Sequence, residues 1–120
     1  MFKTIVFDFD GVLHSYVSGW QGAVTIPDPP VPHMAELLHK LADLGYDLAV
    51  LSTRALDLEG PRAMREWLES NGFPDVQTAQ QKIPAALYVD DRGFRFEGDA
   101  QAVLDFVQGG MTPWMDKGRP

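Results

Sequence analysis

The sequence predicts an α/β domain built on a mostly parallel sheet. Two observations lead there. Short apolar runs at 5–9, 46–51 and 85–89 are rich in β-forming residues and read as strands covered on both faces, as in parallel sheets. Segments with helical spacing of apolar residues alternate with these runs, which is the order expected of right-handed strand–helix–strand crossovers.

Residues 5–9 form the first strand, and Asp8-Phe9-Asp10-Gly11 stops it. Residues 13–30 carry Gly19, Gly22, Pro27, Pro29 and Pro30. Within them, 17–26 suits a small hairpin turning at Ser18-Gly19, followed by a proline-rich connector. A long non-helical insert in a compact domain is more often functional than idle. Met34, Leu37, Leu38, Leu41 and Leu44 share a helical face, and Gly45 stands where a glycine ends a helix. The second strand, 46–51, runs into Ser52-Thr53-Arg54. Pro61 suits the first turn of a second helix with Met64, Trp67 and Leu68 inward and Gly72 after it. Residues 75–79 allow a short third strand, and 85–89 form a fourth that stops at Asp90-Asp91. Asp99 caps a last helix with Val103, Leu104, Phe106 and Val107 inward and Gly109-Gly110 at its end. Residues 110–120 have no period and read as an irregular tail.

A chain of 120 residues without an internal repeat is expected to fold as one domain, 1–120. It has no cysteine, which excludes a disulfide scaffold, thiolate-bound metal and thiol catalysis. Asp and Glu number 17 against 10 Lys and Arg, a net charge of −7, so a broad basic footprint for duplex nucleic acid is not expected. No window is long and apolar enough for a membrane span. The opening Met-Phe-Lys runs straight into the first strand without the marks of a signal peptide, so the expected location is cytoplasmic.

In open α/β sheets, ligands sit beyond the carboxyl ends of the strands. Here those ends carry Asp8-x-Asp10, Ser52-Thr53-Arg54 and Asp90-Asp91, with Lys82 just before the fourth strand. Two carboxylates about 4 Å apart repel by roughly 4 kcal/mol at an effective dielectric near 20. Several in one crevice call for cations. Lys82 supplies one positive charge, and the oxygen-only ligand set suits Mg²⁺ better than zinc. A metal and a lysine at strand ends suit a phosphoryl group, with one carboxylate as nucleophile and a second moving the proton.

Asp8-Phe9-Asp10-Gly11-Val12-Leu13, Ser52, Lys82 and Asp90-Asp91 resemble, in order, the four motifs of the haloacid dehalogenase (HAD) superfamily of phosphohydrolases. The resemblance spans residues 4–91. Val12 is a mild departure, since many members carry threonine there. The resemblance implies a Rossmann-like three-layer domain and a Mg²⁺-dependent phosphatase working through an aspartyl-phosphate. Asp8 would be nucleophile and metal ligand, and Asp10 general acid/base and part of the metal set, with its neighbour's backbone carbonyl also near the metal. Ser52 would hold the phosphoryl group, and Lys82 would pair with that group and with Asp8. Asp91 would bind the metal directly, with Asp90 acting through water or as an anchor. Gly11, Thr53 and Arg54 complete the expected substrate-binding set. Neither 11–46 nor 55–81 has room for a cap domain beside its helix, so the resemblance implies a capless member in which 13–30 is only a flap. An open site of that kind suits a large substrate, or a neighbouring subunit as a lid in a homo-oligomer.

Blander readings stand beside these. Arg54 either contacts substrate or pairs with a surface carboxylate. His14 is read as a plain loop histidine, His33 and His39 as structural or solvated, and Arg92 and Arg95 as surface charges. Trp20 is placed over the site or a partner surface. Two other functions compete: a receiver-like phosphoacceptor domain, and a HAD-fold binding protein without turnover. The first is disfavoured because receivers carry adjacent acids first and the phosphorylated Asp mid-chain. The substrate class stays at phosphorylated compounds, with nucleic acid expected at most as a phosphorylated end.

Overall fold

The computed structural model describes residues 3–80, 85–90, 98–109 and, for the backbone alone, 94–95. Five strands, β1 (Thr4–Asp8), β2 (Asp47–Leu51), β3 (Gln77–Ala79), β4 (Leu87–Asp90) and β5 (Phe94–Arg95), form one sheet in the order β3-β2-β1-β4-β5. Every pairing is parallel. Helices α1 (Met34–Asp43), α2 (Gly60–Ser70) and α3 (Ala100–Gln108) complete the α/β arrangement, which is compatible with a Rossmann-like fold. β5 has no counterpart in the sequence reading, because two residues are too few to show a period.

The central strand explains the layout. Ile5, Val6 and Phe7 are all buried, as a strand covered on both faces requires. β2 repeats this with Leu48, Ala49 and Val50, and Leu87 and Val89 of β4 are buried as well. Ile5, Phe7, Leu48, Val50 and Val89 share one apolar cluster with Leu37, Leu38 and Leu41 of α1 and Val103, Leu104 and Val107 of α3. Ordered this way, the chain steps outward from β1 through β2 to β3, then returns to lay β4 on the opposite side of β1. That reversal is the switch point at which open α/β sheets place their ligands.

Helix ends follow local chemistry. The Asp99 carboxylate caps α3 by accepting from the Gln101 and Ala102 N–H groups. Pro61 sits in the first turn of α2, where its missing N–H costs nothing. Gly45 ends α1 with φ of 96°, a left-handed conformation that a side chain would strain. Leu44 departs from expectation. It is the C-terminal cap of α1 and is 52% exposed, because the helix has already ended before its face can turn inward.

The expected hairpin at 17–26 does not form. The segment is irregular, with a turn closed from the Gly19 N–H to the Tyr16 carbonyl at 3.1 Å and isolated bridges from His14 to Asp10 and Pro30. Gly19 and Gly22 take positive φ of 75° and 106° within it, outside the strand region, and other contacts, described below, hold it. The expected irregular tail at 110–120 lies outside the described residues. Among the described residues, no helix is long and apolar enough to cross a membrane.

Leu38 is fully buried where α1 meets the sheet. Leu38→Ala is expected to cost about 2–5 kcal/mol. Urea denaturation checks this as a lower midpoint with an unchanged slope.

Candidate active site

Parallel pairing fixes which strand ends meet. Asp8 lies opposite Leu51, and Phe7 opposite Val89. Asp8, Ser52 and Asp90 therefore come to one edge of the sheet, at the carboxyl ends of three adjacent strands, with Asp10 two residues beyond Asp8. This juxtaposition follows from strand order and register. Asp8 is exposed, and its carboxylate accepts from the Phe9 N–H at 3.1 Å. Asp90 is half-buried. Gly11 is exposed and its N–H donates to the His14 carbonyl at 2.7 Å, which closes the turn after β1.

Ser52 is buried and ends β2 in an extended conformation. Its hydroxyl oxygen accepts from the Arg54 N–H at 3.1 Å and so caps a short 3-10 turn over Thr53–Leu56. That bond uses a lone pair and leaves the hydroxyl hydrogen able to donate. Thr53 is exposed at the same edge.

Arg54 is neither an open substrate contact nor a surface ion pair. It is fully buried. Its Nε donates to Asp10 Oδ2 at 3.0 Å and Oδ1 at 3.2 Å, and its Nη2 donates to Oδ1 at 3.1 Å. Its Nη1 donates to the carbonyls of Gly22, Ala23 and Thr25 at 2.9, 3.0 and 3.2 Å. The Trp20 ring lies over the guanidinium at 4.7 Å, a cation–π contact. A buried guanidinium needs partners for its donors, and these groups supply them. Gly60 makes room for this arrangement: a Cβ there would fall 1.6 Å from the Arg54 carbonyl oxygen.

His14 is also not a plain loop residue. It is fully buried, with Nδ1 2.8 Å from Asp10 Oδ1. The Asp28 backbone N–H donates to His14 Nε2 at 3.1 Å. Asp28 in turn accepts from the Ser18 hydroxyl at 2.6 Å and the Ser18 N–H at 2.8 Å. Those two bonds hold the Asp28 carboxyl below its ordinary value of 3.8, assisted by the nearby His14 and opposed by burial. Trp67 donates from Nε1 to the Asp28 carbonyl at 3.2 Å, so α2 also anchors the flap.

His33 is exposed beside Glu36, and the His39 ring bonds the Gly72 carbonyl at 2.8 Å, in keeping with solvated and structural roles. The flap and the link to α2 expose Val17, Trp20, Val24, Leu56 and Leu58. Lys82, Asp91, Arg92, Trp114 and the side chain of Arg95 lie outside the described residues. Among the described residues, no three side chains of the metal-ligating types gather as a site.

Sequence reasoning missed the ties of His14 and Arg54 to Asp10. For His14 the available signal was its place four residues after Asp10 across an apolar Val12-Leu13 pair, which turns the chain back on itself. Arg54 carried only its position after the strand-end hydroxyls. Comparison with family models, curated proteins and solved structures found no match.

Two outcomes follow. Arg54→Met leaves three flap carbonyls without their donor and the Asp10 carboxylate with His14 as its partner. It is expected to cost about 3 kcal/mol or more, with easier proteolysis within 15–27 in limited-digestion assays. Asp28, with its carboxyl held low in the folded state, contributes stability that is complete above its ordinary value and lost as pH falls through the lowered one. Thermal melts below about pH 4 are expected to fall less steeply in Asp28→Asn than in the parent.

Proposed function

We propose that the chain is a capless HAD-type phosphohydrolase, a Mg²⁺-dependent phosphatase acting on phosphate monoesters. The observation that carries the reading is the parallel order β2-β1-β4, which gathers Asp8, Ser52 and Asp90 at the switch-point edge with Asp10 just beyond. The four motifs supply the roles.

Asp8 attacks phosphorus, forming an aspartyl-phosphate as the bond to the leaving oxygen breaks. Asp10 gives that oxygen its proton, and the alcohol departs. Asp10 then takes a proton from a water molecule, whose oxygen attacks the same phosphorus and frees Asp8 and inorganic phosphate. The Ser52 hydroxyl donates to a phosphoryl oxygen, where added charge is best stabilised by a fixed donor. Lys82 takes the pairing role with the phosphoryl group and Asp8.

The donor chemistry fits a hard cation. Asp8, Asp90, Asp91 and the Asp10 backbone carbonyl offer oxygen alone, and the one neighbouring imidazole, His14, is committed to Asp10 and Asp28. Asp8 and Asp91 would hold Mg²⁺ directly, with Asp90 through water or as an anchor. When bound, the ion neutralises charge shared between the carboxylates and the phosphoryl oxygens. The short flap leaves the rim open to phosphorylated substrates larger than the notch.

One observation favours a second reading. Arg54 and His14 both engage the Asp10 carboxylate, as they would in a binding protein that keeps the fold without turnover. The test is phosphate release across small phosphates, nucleotides and end-phosphorylated oligonucleotides, with and without Mg²⁺. Mg²⁺-dependent release that Asp8→Asn abolishes is the expected result. Tight Mg²⁺ binding without release across the panel selects the second reading.

A further inference from the structure

We propose that His14 is the positioning residue of Asp10, anchoring Oδ1 so that Oδ2 is the oxygen turned to the leaving group. The inference rests on the phosphatase reading and adds to it which oxygen moves the proton and what aims it.

Three observations carry it. The first is the tautomer. The Asp28 backbone N–H donates to His14 Nε2, so that nitrogen is an acceptor and the neutral ring bears its hydrogen on Nδ1. Nδ1–H then donates to Asp10 Oδ1 at 2.8 Å. A backbone donor thus dictates the direction of a side-chain bond, in the way that an outer partner orients a functional imidazole elsewhere.

The second is immobility. The ring is fully buried. Phe9 stacks on it at 5.8 Å, Trp67 meets it edge-on at 5.5 Å, and Tyr16 does so at 5.9 Å. The His14 backbone is tied as well, its N–H to the Phe9 carbonyl at 3.0 Å.

The third is the unequal loading of the carboxylate. Oδ1 accepts from His14 Nδ1 and from Arg54 Nε and Nη2, whereas Oδ2 accepts from Arg54 Nε alone. Asp10 remains 20% exposed. The oxygen with spare accepting capacity is Oδ2. Arg54 bonds both oxygens through Nε and adds a second bond to Oδ1 through Nη2, so it loads Oδ1 in the same sense as His14, whose bond goes to Oδ1 alone.

A pair of variants separates this role from support of the flap. In His14→Asn the amide nitrogen reaches the place of Nδ1 and keeps a donor toward Asp10. In His14→Gln the amide reaches the place of Nε2, toward Asp28, and the donor toward Asp10 is lost. Turnover is measured with p-nitrophenyl phosphate, whose leaving group needs little protonation, and with phenyl phosphate, whose leaving group needs more. His14→Gln is expected to lose about tenfold or more additional rate on phenyl phosphate, and His14→Asn to recover the greater part of that loss. Equal losses on both substrates, or two variants that behave alike, overturn the proposal. Independently of any variant's folding, nitrogen-15 NMR of the wild-type protein is expected to show His14 protonated on Nδ1 and bare on Nε2; the reverse tautomer overturns the proposal. A wild-type protein that shows the expected tautomer and releases no phosphate overturns the phosphatase reading itself, and the positioning role with it.

Discussion

The ion pair between Arg54 and Asp10 joins the tip of β2 to the tip of β1, and through its remaining donors it carries the flap. A guanidinium removed from water has five N–H donors to satisfy and a charge to balance. Asp10 answers the charge, and the carbonyls of Gly22, Ala23 and Thr25 take donors left over. The flap therefore needs no ladder of its own. Proline and glycine deny it regular structure, and a side chain from another part of the chain supplies the order that local hydrogen bonds would otherwise give.

His14 and Asp28 close the same flap from the other side. Ser18 holds the Asp28 carboxylate, the Asp28 N–H meets His14, and His14 reaches Asp10. Asp10 is thus gripped by two buried side chains of different origin, one from its own loop and one from the turn after β2. Polar networks in a low-dielectric interior are costly unless every member is paired. Pairing here fixes the flap and the carboxylate together, so the geometry of the notch and that of its cover are one problem. In the proposed chemistry this is preorganisation: Asp10 is aimed before substrate arrives.

The switch-point edge explains why charge collects at one place. Parallel strands all present their carboxyl ends on the same side, and β1 lies between β2 and β4. Acidic strand ends that look isolated along the chain become neighbours once the register is set. In the proposed function the resulting field favours a cation and a phosphoryl group carried with it. Trp20 and Val24 on the flap and Leu56 at the end of the Arg54 turn are exposed apolar side chains.

Much of the fold was legible in consecutive residues. The buried runs at β1, β2 and β4, the helical spacing of Leu37, Leu38 and Leu41, the Asp99 cap and the Gly45 stop are local patterns, and local sterics and burial act on them directly. The polar residues at the strand ends were legible for the same reason. The order β3-β2-β1-β4-β5, the burial of Arg54 and the partners of His14 were not. Each depends on contacts between segments far apart in the chain, such as Arg54 with residues 22–25, and a side chain's own identity does not encode them. Arginine after a strand and histidine in a loop are ordinarily solvated. Only closure of the flap over the sheet edge removed their water, and that desolvation forced them onto Asp10.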